Sequence, residues 1–223
     1  MIQSQTDNHQ QHTEMKLLQI FLFIFFAIHG NEGEKFLTAL EQEVVREINL
    51  ARQNPKAYAK FIDQLTPYYV GKQIKRPGKI AIITEEGVGA AEEAMRFLQS
   101  AKPISALKPS KGLSLGARDH VEDQGPTGVT GHEGRDGSQV WDRVNRYGTW
   151  QQMIGENISY GRDTAREIVI GLIIDDGVPE RGHRKNIFNS DFKVIGVAYG
   201  YHATYGSICV MTFAGGYKEK KSN

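Results

Sequence analysis

The clearest periodicity in the chain constrains the fold most. At 164–175, Ala165, Ile168, Val169, Leu172 and Ile173 follow the helical repeat, and Thr164 stands where an amino-terminal cap belongs. Two runs rich in Val, Ile, Tyr and Phe follow, at 192–201 and 207–214, joined by His202-Ala203-Thr204-Tyr205-Gly206. They predict a β-hairpin. A hairpin cannot stand alone in water, so the helical segments before it must supply the other side of its core.

Those segments are legible in order. Leu37, Leu40, Val44, Ile48 and Ala51 give helical spacing to 36–54, which Asn54-Pro55 ends. Pro55 is a good first residue for a second helix over 56–65, in which Tyr58, Phe61 and Ile62 share a face. Residues 79–83 read as a short extended run and 88–101 as a helix stopped by Lys102-Pro103. A further helix is predicted at 113–123, a short one from Val140 to Tyr147 ended by Gly148, and an extended segment at 154–160. Helices first, one mid-chain strand, another helix and a closing hairpin imply an α/β sandwich, a sheet packed between helical layers.

Composition bounds the rest. With 39% hydrophobic and 24% charged residues among 223, the chain is globular in type. Setting aside residues 1–30 leaves about 190 residues, enough for one domain with a substantial core. The sole cysteine, Cys209, allows no intramolecular disulfide. A net charge of +1 offers no field for nucleic acid, and the basic cluster read here, Lys218-Glu219-Lys220-Lys221, is taken as part of a solvated tail over 216–223. At the other end Lys16 precedes twelve apolar residues, Leu17 to Ile28. They fall short of the roughly 20 that span a bilayer but match the centre of a secretory signal peptide. Export is expected, or anchorage by an uncleaved segment, which would be the route of any membrane contact.

Three polar islands lie among these elements: 131–138 with His132 and Glu133, 155–161 with Glu156 and Asn157, and 181–187 with His183 and Arg184. Two histidines and a glutamate beside glycines are residue types for a metal or an acid/base centre. Plainer roles stand beside this. Glu156 and Asn157 suit backbone hydrogen bonding, His183-Arg184 suits capping of the preceding segment, and Arg184 and Lys185 suit solvent. His120 with Asp119 reads as a surface pair, Trp141, Tyr147 and Trp150 as packing, and Cys209 as an inert buried thiol.

Gly155-Glu156-Asn157-Ile158 followed by Gly161, then Gly182-His183-Arg184-Lys185-Asn186-Ile187, then Ile195-Gly196-Val197-Ala198 with Phe213, and Asn49-Leu50-Ala51-Arg52 on the first helix, occur in compatible order and spacing. Through them the chain, over about residues 36 to 215, resembles the CAP superfamily, also called SCP-like, of cysteine-rich secretory proteins, insect antigen 5 and plant pathogenesis-related proteins. The resemblance implies a three-layer α-β-α sandwich over 31–215 and a cavity lined by two histidines and two acids. Carried over by position, these fall on His132, Glu156, Asp175 and His183, with Asp176 or Glu180 as alternatives for the second acid. It implies room for a divalent metal such as zinc, not required for the fold, and binding of a lipid, a sterol-like molecule or another protein. A metal-dependent hydrolase of protease or esterase type is the alternative use of the same residues.

Overall fold

The structure, a computed structural model, describes residues 36–221, so the expected signal segment lies outside the described residues. Helix α1 spans Ala39–Gln53. Its start is a capping box: the Thr38 hydroxyl accepts from the Glu41 amide, and the Glu41 carboxylate accepts from the Thr38 amide. Pro55 opens α2 (Pro55–Asp63) as predicted, and α3 (Val88–Ser100) buries Ala90, Ala91, Ala94 and Leu98. Between them lies an antiparallel ribbon of β1 (Tyr69–Val70), β2 (Gln73–Ile74) and β3 (Ile82–Ile83). The extended run expected at 79–83 is only the last of these strands. Strands of two residues are too short to show a period.

The main sheet has the order β4-β6-β7-β5, from β4 (Lys108–Pro109), β5 (Gly148–Tyr160), β6 (Val194–His202) and β7 (Gly206–Glu219). β4 runs parallel to β6, and the other pairings are antiparallel. β6 and β7 are the predicted hairpin, but β7 continues to Glu219, where Gly216 to Glu219 pair with Gln151 to Gly148. Residues 216–219 are therefore strand, not the start of a solvated tail. β5 likewise reaches back to Gly148, further than the Ile154 start expected. A register shift between Gln151 and Ile154 absorbs the irregularity, with Gln152 at φ 66°. The polar run Thr149-Trp150-Gln151-Gln152 carries no alternation that would have revealed it.

Helix α4 (Lys111–Gln124), capped by Ser110, lies directly on β6. A Cβ on Gly196 would come 2.2 Å from the Leu113 carbonyl carbon, and one on Gly200 would come 2.5 Å from Val121 Cγ1. Gly196, Ala198 and Gly200 alternate on one face of β6, so small residues admit the helix backbone. Ala117 and Val121 pack there with Ile158, Ala198, Ile208 and Val210. Beside them the short α5 (Val140–Asn145) adds Val144 to Leu113 and Ala214.

Alternation turns Cys209, Met211 and Phe213 of β7 to the opposite face, where Phe213 stacks on Phe192 at 5.5 Å. α1 packs against β6 and against α6 (Ala165–Ile174), whose Ile168, Val169, Leu172 and Ile173 are buried. Helices on both faces complete the α-β-α sandwich. Buried Arg52 ties its parts together, donating to the carbonyls of Ser105, Ile187, Asn189 and Phe192. Asn49 exchanges two hydrogen bonds with the Leu107 backbone and so places β4. Cys209 is buried and free. Among the described residues no helix is long and apolar enough to cross a membrane.

Candidate functional site

Glu156 sits on β5 opposite Thr212, on the face turned to α4 and α5. One carboxylate oxygen, Oε1, lies 2.9 Å from His132 Nδ1, and the other, Oε2, accepts from Arg143 Nη2 at 2.7 Å. Arg143 also donates from Nη1 to the His132 carbonyl at 3.2 Å and the Ser138 carbonyl at 2.8 Å. One guanidinium on α5 thus holds both the acid and the loop that carries the histidine. Burial of Glu156 acts to raise its pKa, but the His132 hydrogen bond and the Arg143 charge outweigh it and hold the carboxyl below its usual range. An ionised carboxylate only accepts, so His132 Nδ1 carries the hydrogen, and in the neutral ring Nε2 is the nitrogen with the lone pair. The ring itself is half exposed.

Asp175 ends α6 in the left-handed region, with φ 58° and ψ 40°. Asp tolerates this conformation better than most residues. It is buried, and its Oδ1 lies 2.6 Å from His183 Nδ1, while Oδ2 accepts from the amides of His183 at 2.9 Å and Arg184 at 3.3 Å. The same carboxylate therefore starts helix α7 (Gly182–Ile187) and orients the second imidazole. Asp176, the alternative acid, turns away and accepts from the amides of Glu85 and Glu86 at 2.6 and 2.9 Å. Glu180 is exposed. On the opposite face of β5 from Glu156, Asn157 donates to the His183 carbonyl at 3.0 Å and accepts from Asn186 at 2.8 Å. The edge strand thereby holds one pair by its acid and the other by its backbone.

The result is two imidazole–carboxylate pairs, His132 with Glu156 and His183 with Asp175. Among the described residues no group of three or more His, Cys, Asp or Glu side chains is arranged to hold a metal ion. What the donor chemistry offers is narrower: in the neutral rings, one Nε2 lone pair from each histidine, with the Nδ1–H on a carboxylate. That is the arrangement that orients histidine ligands in metal sites, with the acid behind the ring.

Several residues stand elsewhere than the sequence placed them. His120 is not a surface pair with Asp119. It is fully buried, its Nε2 is 2.9 Å from the Gly131 carbonyl, and its Nδ1 has no partner. Burial holds it below the ordinary histidine pKa. Asp119 is instead engaged by Arg146 and Tyr147. Arg184 is not solvated but buried, donating to the carbonyls of Ile173 and Ile174 and to Glu93, so it caps the end of α6 as the alternative reading of that motif anticipated. The island expected to be a post-helical turn is itself helix α7, whose six residues are too few to display a repeat. Trp141, expected to pack inside, is 45% exposed.

Arg143 was missed altogether. Its neighbours Val140 and Val144 carried the apolar signal of that helix, and a lone arginine there reads as surface. A recess of about 320 Å³ opens beside it, lined in part by His120, Asp123, Gly134 and Arg146.

The YkwD protein of Bacillus subtilis, uncharacterized, is 31% identical over 131 residues, which are 59% of this chain and 47% of that one. This chain thus spans about half the length of that relative. Among solved structures, an extracellular protein containing an SCP domain from Bacillus anthracis shares 23% identity with a TM-score of 0.40, covering 50% of this chain and 34% of that chain. An outer surface protein of Borrelia burgdorferi shares 18% identity with a TM-score of 0.43, covering 59% and 88%. The profile of the Cysteine-rich secretory protein family, CAP, matches residues 45–213. With that span containing all three islands, the chain belongs to the CAP family.

Proposed function

We propose that this CAP domain is an exported binding module. In this reading His132 and His183 offer their Nε2 atoms to a divalent cation such as zinc, and a lipid, sterol-like molecule or protein docks on the surface around them without being turned over. One observation carries the preference for binding over catalysis: both carboxylates are already committed. Glu156 is held by Arg143 and His132, which keep its carboxyl below the usual range and make it a weaker base than an unpaired glutamate. Asp175 is engaged by three donors from α7. A cation bound to the two rings would keep open positions and act as a Lewis acid toward an oxygen of the ligand. Export rests on Lys16 and the apolar block Leu17 to Ile28.

Zinc titration by calorimetry on the wild type, His132→Ala, His183→Ala and Asp175→Asn tests the site. The alanine variants are expected to abolish binding and Asp175→Asn to weaken it about 10–100-fold. The same proteins offered peptide and ester panels should show no metal-dependent turnover. Turnover that disappears in His183→Ala would establish the hydrolase instead. Absence of zinc binding in the wild type would remove the cation from the reading. A panel of sterols, fatty acids and phospholipids then separates a lipid ligand, which binds saturably, from a protein partner, which leaves the panel empty.

A further inference from the structure

The ribbon between α2 and α3 has a composition unlike the rest of the chain. From Pro67 to Thr84 it contains Lys72, Lys75, Arg76 and Lys79 and no Asp or Glu, although the whole chain carries only +1. Lys75 and Arg76 are adjacent, while Gln73-Ile74 and Pro77-Gly78 separate them from Lys72 and Lys79. Strand pairing sorts the side chains into two rows. Tyr69, Ile74 and Ile82 share one face, and Ile74 there is 6% exposed. Val70, Gln73 and Ile83 share the other, with Val70 at 58% and Ile83 at 77% exposure. Ile80, ahead of β3, is 93% exposed. Lys72, Lys75 and Lys79 are exposed as well, whereas Arg76 is held by Glu167 at 2.7 Å.

β-branched residues facing water on a short ribbon are an unpartnered surface that ordinary soluble folds avoid. Here they lie in the same short segment as the exposed Lys72, Lys75 and Lys79, and no acid of that segment neutralises them. Aliphatic tips that insert at the headgroup level, flanked by lysines whose long stems reach back to anionic groups, are the two components of interfacial membrane binding. Interfaces between proteins centre instead on buried aromatic and arginine anchors, with lysine depleted. We propose that the ribbon of residues 67–84 docks the protein on an anionic phospholipid surface, with Val70, Ile80 and Ile83 inserted and Lys72, Lys75 and Lys79 on the headgroups. The proposal uses none of the paired-histidine residues and stands or falls apart from the reading of that site.

Co-sedimentation of the full chain with vesicles of phosphatidylcholine, with and without phosphatidylserine, tests it. Any binding by the apolar block Leu17 to Ile28 would fall on both vesicle types, so the readout is the preference for the anionic ones. The wild type should prefer anionic vesicles, and raised salt should erase that preference without any substitution. The combined Lys72→Glu, Lys75→Glu and Lys79→Glu variant should lose it by about 100-fold. Ile80→Ser with Ile83→Ser should weaken anionic binding by about tenfold. All five positions are exposed, so circular dichroism should match the wild type. Equal binding of the wild type to both vesicle types overturns the proposal, as does an unchanged preference in the lysine variant or unchanged binding in the isoleucine variant. If the wild type shows no preference but self-associates through Ile80 and Ile83, the face belongs to a second copy and the proposal fails.

Discussion

At Arg143 a single buried side chain sets the charge state of half the site. Its guanidinium and Glu156 are both almost fully withdrawn from water, so removing one partner strands the other. Arg143→Met is expected to destabilise the domain by about 3–5 kcal/mol at pH 7, measured by denaturant unfolding. The sign of its pH dependence follows from Glu156, whose folded-state pKa is depressed. The stability this pair contributes is present above the unfolded carboxylate value of 4.5 and is lost as pH falls through the lower folded value. The gap between wild type and variant should therefore narrow in acid. A gap that is the same at pH 7 and pH 3 would show that Arg143 acts through packing alone. Nothing in the sequence marked this residue. His132, Glu156 and His183 stood out because each lies in a polar island, whereas Asp175 came only through the family resemblance, with Asp176 and Glu180 left open beside it. A counter-ion drawn from a different helix has no such signature.

Among the elements, packing of α4 on β6 depends on the absence of two side chains. At Gly196 an added Cβ meets helix backbone, 2.2 Å from the Leu113 carbonyl carbon and 2.3 Å from the Ser114 amide nitrogen, and neither can rotate aside. Gly196→Ala should lower stability by about 1–3 kcal/mol, the usual range for overpacking, or more if the helix cannot shift. Gly182, at the start of α7, has open space around it, and Gly182→Ala should be neutral or stabilising by up to about 1 kcal/mol. Thermal denaturation of the two variants in parallel checks both, and equal effects would refute the packing account. The long helices were readable because their three-and-four spacing extends over several turns. The two-residue strands β1, β2 and β4, the six-residue α7 and the polar first half of β5 were not. Their places are set by partners far along the chain, such as Asn49 for β4 and Glu219 for the start of β5.

For the molecule as a whole, the sandwich must hold without covalent help. Cys209 is the only cysteine, and burial pushes its thiol far up. Reductant should leave the melting temperature unchanged, and a thiol reagent should label Cys209 only as the domain unfolds. Rapid labelling of the native protein would contradict the buried position. The order of helices and hairpin was enough to predict the layers, whereas the convergence of the islands depended on the resemblance, since spacing alone does not say which loops meet. β5 is an edge strand of the main sheet, partly open to solvent from Thr149 to Gly155 and buried from Glu156 to Ser159. An edge of that kind invites another chain to add a strand and so begins the growth of fibres. Here Asn186 takes the Glu156 carbonyl, and the irregularity at Gln152 breaks the spacing of the donors and acceptors. Asn186, which settles α7 beside the second imidazole, thus also occupies a backbone acceptor that an added strand would need.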